Sequence, residues 1–404
     1  MHLCFSIAKV VDSIVAELSQ GGSLERASRA EDFSALAALT STSRFFHTLA
    51  ANIQWHSQLR LSNLVKCMPG DLGEERNGAL ALIPSDWERF DLYARRVKML
   101  TFDGYGVQSF MNDRDVMVSV DTFRLLNEHV GMESFLYCQL FFGPKLQKFA
   151  LRTGDPDLEW VVVCALVHLH GLVPCLQTLH LDVSIGSGYF SVELPGFLRG
   201  FSSLQRFIYK SDLPMSSEAF LHLFSLPHPI QLDITCEDEN QPLMSPLPTT
   251  TIPETAFPVL KTLCLAAESM RHCAAILKVS RFLHAEKVVL HTQMPENNST
   301  DNLHAVLKLL LAQIPHDSLK ELVITSVGVD GSEEVINLRC LFPLQKISNL
   351  QSLCLDTECR VVVDDAGLET LAKAWPNLQK LFLIQGRSLA SFPVGVNPTS
   401  LDHA

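Results

Sequence analysis

The chain has 404 residues, 47% of them hydrophobic and 19% charged, with a formal net charge of −12. That composition excludes the disordered class, and the acid surplus argues against a nucleic-acid binder, because phosphate contact needs clustered Lys and Arg. The eleven cysteines are scattered, with no CxxC pair and no metal-ligand spacing, which predicts reduced thiols in an intracellular (cytoplasmic or nuclear) protein with no metal and no cofactor.

The opening MHLCFSIAKVVDSIVAELSQ is interrupted by Lys9, Asp12 and Glu17, so no signal peptide is expected there. Val10, Val11, Ile14, Val15 and Leu18 recur at helical spacing and predict an amphipathic first helix. GGSLERASRA breaks that pattern, and DFSALAAL predicts a second helix with Asp32 as N-cap and Phe33, Leu36 and Leu39 inward. A third is expected over SRFFHTLAANIQW, with Phe45 in an Arg-Phe-Phe run, Phe46, Leu49 and Ile53 on one face, and Trp55 at its end. These three helices form an expected all-α unit over 1–60, followed by a connecting or capping segment over 61–95.

From residue 96 to 390 one phrase recurs. LQTLHLDVS at Leu176 has relatives starting at Leu146, Leu204, Pro229, Leu260, Ala285, Leu319, Leu350 and Leu378, with an earlier copy at Val97. The mean spacing is about 29 residues, within the range of solenoid repeats. The gap before Leu146 is long enough to hide a degenerate copy near Phe135. Strand geometry sends the fourth and sixth places to one face and the third, fifth and seventh to the other. Leu179, Leu181, Leu263, Leu265, Leu381 and Leu383 are therefore expected in the core.

Apolar runs such as DNLHAVLKLLLAQI and AGLETLAKAW predict helices that cover the strands from behind. The uncharged stretch from Trp160 to Leu181 contains Gly171, Pro174 and two histidines, and reads as helix, turn and strand rather than a membrane span. Five prolines between Gln241 and Pro258 predict a loop insertion within one repeat. Residues 391–404 are assigned to a tail.

The phrase resembles that of the leucine-rich-repeat family over about 290 residues. The resemblance implies an α/β solenoid with parallel strands on a concave face and helices outside. The family's usual Asn at the ninth place is absent; Ser184, Asp212 and Glu268 are among the residues there instead. No Asn ladder is expected. With such repeats behind it, the three-helix segment resembles an F-box, through its apolar stripe, Asp-aromatic second helix, Arg-Phe-Phe and closing Trp. It departs from that family in lacking an initial Leu-Pro and in doubling a Thr-Ser within TSTSRFF.

The F-box resemblance implies docking on the adaptor protein of a cullin-type ubiquitin ligase, through Val10, Val11, Ile14, Leu18, Leu36, Leu39, Phe45 and Trp55. The repeats would then hold the target, and the chain would act as a non-catalytic substrate receptor. The alternative is a repeat scaffold without any ligase, whose first segment only caps the solenoid; the missing Leu-Pro and doubled Thr-Ser favour it.

No nucleophile elbow, phosphate loop or HExxH occurs, and His168 and His170 point apart if they lie on a helix. Read in order, the outward strand places give Lys148, Arg152, His180, Asp182, Arg206, Ile208 and Lys210, then the more apolar Val289, Val323 and Phe382. That order predicts a target-binding face with a basic end suited to an acidic or phosphorylated protein segment and an apolar end beyond it. No membrane or nucleic-acid partner is expected.

Overall fold

The computed structural model describes residues 37–38, 40–41, 44–58, 92–103, 142–153, 173–183, 194–212, 214–236, 257–267, 269–279, 281–292, 300–326, 335–357 and 360–385. Strands β1 (Ser57–Gln58), β2 (Met99–Asp103), β3 (Lys148–Thr153), β4 (Thr178–Val183), β5 (Arg206–Ser211), β6 (Gln231–Cys236), β7 (Thr262–Ala267), β8 (Lys287–Thr292) and β9 (Glu321–Ser326) follow one another in a parallel sheet. Two short strands, β10 (Val335–Asn337) and β12 (Arg360–Val362), pair with each other outside it. The 11-stranded sheet is completed by β11 (Ser352–Thr357) and β13 (Lys380–Gln385). Each unit adds one strand beside the last, the topology of a leucine-rich-repeat-like solenoid.

The register follows the phrase. Each strand of the large sheet from β2 onward starts at its copy's third place, and like places pair: Leu179 with Phe207, Leu232 with Leu263, Leu322 with Leu353. Between copies, the carbonyl at the second place accepts two N–H groups of the next. Gln147 O takes Gln177 N at 2.8 Å and Thr178 N at 2.9 Å, and the same fork recurs up to Gln351 O. The fourth and sixth places face inward because burial there removes apolar surface from water, giving strands such as β4 and β7 a strict alternation of half-buried and buried residues.

The recurring unit begins three residues earlier than the phrase. Val173, Phe201, Leu226, Phe257, Phe282, Ile347 and Trp375 stand three places before their copies and are all buried. The carbonyls of Val173, Phe201, Phe257, Phe282 and Trp375 close the turn into the strand, as in Leu176 N to Val173 O at 3.1 Å and Leu204 N to Phe201 O at 3.3 Å. Gly143 holds that place before β3, where an added Cβ would lie 2.9 Å from Ala94 O, so the backbone approach itself requires glycine. Phe257, where the proline-rich insertion rejoins the repeats, has a φ of 55°. Its buried ring stacks on Phe282 and meets Phe224 edge-on at 4.8 Å, contacts that offset the strain of that backbone.

Helices α1 (Arg44–Gln54), α2 (Ser217–Ser225), α3 (Met270–Val279), α4 (Thr300–Gln313), α5 (Leu338–Leu341) and α6 (Asp365–Ala374) occupy connections. Those expected at 301–314 and 366–375 are α4 and α6. Ser216 caps α2 by accepting from Ala219 N, and Asp364 caps α6 by accepting from Gly367 N. The acidic pair Asp364-Asp365 is thus a helix start. Trp375 at the end of α6 is buried and donates its indole N–H to Leu344 O at 2.9 Å. Strands repeat about every 4.8 Å, whereas packed helices need about 8–10 Å, so the strand face lies on the inside of the curve.

Two features differ from the sequence reading, and a third adds to it. The sheet begins at Ser57, inside the first sixty residues, and Trp55 takes the first place of a further copy: His56 O accepts from Lys98 N and Met99 N, both at 2.9 Å, as the later second-place carbonyls do. Leu381, expected in the core, is 36% exposed and Leu383 is half-buried, because β13 is the sheet's last strand and no further copy follows it among the described residues. In place of a ninth-place Asn ladder, small eighth-place residues hydrogen-bond neighbouring backbone: Thr292 Oγ1 donates to Thr325 O at 3.5 Å and the Cys236 thiol to Asp212 O at 3.8 Å. Val10, Val11, Ile14, Leu18, Leu36 and Leu39, the segment near Phe135, His168, His170, the insertion up to residue 256 and the tail lie outside the described residues.

Candidate partner-binding face

The inner face is built from the third, fifth and seventh places, which the pleat turns away from the core. The fifth places form one row across eight strands: His180, Ile208, Asp233, Cys264, Val289, Val323, Cys354 and Phe382. Ile208, Val289 and Val323 are half-buried and Phe382 is 48% exposed. Apolar side chains dominate its β8–β13 end.

At the other end the charges crowd. Arg152 on β3, His180 on β4 and Arg206 on β5 lie on one diagonal, at the seventh, fifth and third places. Ala150, opposite His180 in the ladder, leaves space beside the imidazole. Burial, together with Arg152, Arg206 and Lys210, lowers the His180 pKa to about 4, so this ring is neutral at pH 7. Lys210 Nζ lies 3.9 Å from Asp182 Oδ1, and Lys148 occupies the third place of β3. The Nε atoms of Arg152 and Arg206 are shielded from water and have no hydrogen-bond partner among the described residues.

Asp233 escaped the sequence reading of this face, whereas Cys264 was expected at a fifth place. Asp233, between Ile208 and Cys264, has its carboxyl pKa raised to about 6 by burial, against the opposing pull of Arg206. Cys264 beside it is pushed up to about 12 by burial and by Asp233, so its thiol is not a nucleophile at neutral pH. Their fifth-place position was legible, whereas their desolvation arises from neighbours on other strands.

A second charged feature follows the strand-entry rim. Lys261, Glu286 and Lys320 occupy successive second places, with Lys320 Nζ 2.7 Å and Lys261 Nζ 3.5 Å from the Glu286 carboxylate. They line a depression of about 450 Å³ with His284, Asp317, Ser318 and Val259. These charges satisfy one another, unlike the guanidinium Nε groups of the inner face.

Of the adaptor-binding candidates, Phe45 lies within α1, and Trp55 is half-buried with its ring 4.6 Å from that of Tyr93. The other six lie outside the described residues. Among the described residues there is no group of three or more His, Cys, Asp or Glu side chains arranged to hold a metal, and no helix is long and apolar enough to cross a membrane.

No family model matches the chain, and no curated protein matches it in sequence. Among solved structures it is similar to the leucine-rich-repeat-containing protein LegL7 from Legionella pneumophila, at 12% sequence identity and a TM-score of 0.35, over 74% of this chain and 78% of that one.

Proposed function

We propose that this protein is a non-catalytic receptor that binds a protein target along the inner face of its sheet. The finer reading is that it serves as the substrate-recognition subunit of a cullin-type ubiquitin ligase. The observation that supports a binding role is the continuous fifth-place row, which joins a cationic end to an apolar end across eight strands of a stiff frame. Holding target and conjugation machinery on one chain raises their effective concentration, so the receptor needs no catalytic group. Support for the ligase comes from the residue pattern of the first sixty positions.

A scaffold without a ligase is the second reading, and one observation favours it. Trp55 opens a copy of the repeat and α1 leads directly into β1, so the last of the three helices serves the solenoid as an end cap, which such arrays require. Co-purification separates the two. Full-length protein expressed in cells should bring down the ligase adaptor, and Ile14→Asp should abolish that while leaving the thermal unfolding midpoint unchanged. Absence of adaptor from the unsubstituted protein decides for the scaffold.

A further inference from the structure

We infer that two copies of this chain pair edge to edge along β13, about a two-fold axis through Phe382, so that their sheets continue as one. The inference goes beyond the target-binding reading and uses no step of it. It follows from the contrast between the two sheet edges, the apolar residues gathered at one of them, and a register that complements itself.

The two edges are built differently. At one, β1 has only Ser57 and Gln58 and is preceded directly by α1. At the other, β13 is paired with β11 from Lys380 to Gln385 and ends the sheet among the described residues. Short strands, charges, prolines and bulges are what keep a free edge from pairing. The stretch KLFLIQ has a single charge, Lys380 at its start, and neither proline nor glycine.

Apolar surface gathers at that same end. Half of the exposed large hydrophobic residues among those described, Val362, Leu368, Leu381 and Phe382, sit on β12, α6 and β13, between 36% and 48% exposed. Ala372, one turn beyond Leu368 on α6, is exposed as well, and the neighbouring Lys373 and Glu369 neutralise each other at 2.6 Å. The residues that follow offer a poor cover, since Pro393 and Pro398 have no N–H to give to a ladder. A second copy brings an edge and an apolar end of the same kind.

Backbone direction and side-chain match select the register. Lys380 N donates to Gln351 O at 3.0 Å, and alternation along a parallel ladder then turns the backbone of Phe382 toward β11 and those of Leu381 and Leu383 outward. With the axis through Phe382, Leu381 of each copy exchanges N–H and C=O with Leu383 of the other. Phe382 lies opposite its own copy at a non-hydrogen-bonded position, where Cα atoms are about 4.5 Å apart and side chains are closest. Leucine meets leucine on the core side, and the two Lys380 residues fall at opposite ends of the pair. Moving the axis to Leu381 or Leu383 sets a leucine against Gln379 or Gln385 instead. The joined surface is one strand and one helix wide, at the small end of stable interfaces, so the dimer dissociates on dilution.

Sedimentation equilibrium of the purified full-length protein over a range of concentrations tests the pairing. The mass should rise with concentration toward twice 44.9 kDa. Phe382→Glu and Phe382→Lys should each leave single chains, because like charges then stand opposite each other across the axis, with thermal midpoints in dilute solution unchanged. An equal mixture of the two variants should recover the double mass. A single-chain mass for the unsubstituted protein at every concentration would overturn the inference, and amide hydrogen exchange then identifies the occupant. Protected Leu381 and Leu383 amides in that monomer mean that the chain covers its own edge; rapidly exchanging ones leave the edge to a different protein. Dimers that survive Phe382→Glu, or a mixture of variants that stays monomeric, place the contact elsewhere and overturn the inference equally. Adaptor co-purification and target binding are independent of every arm.

Discussion

Asp233 and His180 have opposite protonation costs on the same surface. Burial raises the Asp233 pKa from its usual 3.8 to about 6, so the folded protein binds more protons there than the unfolded chain between those values, and stability falls as pH rises through that window. Burial and neighbouring cations lower the His180 pKa from 6.5 to about 4, so stability rises with pH between 4 and 6.5. From pH 4 to 6 the two slopes oppose and nearly cancel. Asp233→Asn removes one of them. The variant should be more stable than the parent at pH 7, by about 1–3 kcal/mol after discounting partial solvent access. Denaturant titrations at several pH values should show that difference vanish near pH 4, and a difference independent of pH would mean that Asp233 is solvated.

At the scale of the element, identical phrase positions have different energetic weights. Leu263 on β7 is fully buried between β6 and β8, whereas Leu381 at the same fourth place on β13 is 36% exposed. Leu263→Ala should cost roughly 2–5 kcal/mol, and Leu381→Ala distinctly less, about 1–2 kcal/mol, since part of the removed surface already meets water and no closed cavity is left. Chemical denaturation of the two variants checks the contrast, and equal losses would show that β13 is covered. Trp375 fastens α6 to the turn before β11 through its bond to Leu344 O. Trp375→Phe keeps one aromatic ring but loses the rest of the indole and its N–H donor to that carbonyl, and should cost about 1–3 kcal/mol in the same assay.

As a whole, the molecule is a one-dimensional stack in which each unit buries its core only against its neighbours. Damage at one end should therefore stay local. Trp55→Ala removes the contact with Tyr93 and should accelerate amide hydrogen exchange in β1, β2 and β3, leaving β7, β8 and β9 protected as before. Loss of protection along the whole sheet would show that the solenoid unfolds as a single unit. The gradient from the cations around His180 to Val289, Val323 and Phe382 also exists only at this scale, since no single copy contains both ends.

By itself the sequence determined the strands. Every phrase start from Val97 to Leu378 places a strand two residues later, because a period-two alternation with buried fourth and sixth places admits only one register in a stack of like units. It also marked α4 and α6 through their apolar periodicity. The buried residue three places before most phrases was legible too, in FSSL, FPVL, FLHA, ISNL and WPNL, had the alignment been extended upstream; the copy at Leu319 has the exposed His316 there instead. The tertiary structure alone decided what depends on neighbours remote in sequence. Trp55 opens a copy although the polar Gln58 occupies its fourth place, since among the described residues the first strand of the stack has a partner on one side only. Leu381 is exposed for the same reason at the other end. The desolvation of Asp233 and the convergence of Arg152 and Arg206 on His180 come from strand adjacency, which sets side chains 26 to 28 residues apart in sequence onto neighbouring strands about 4.8 Å apart.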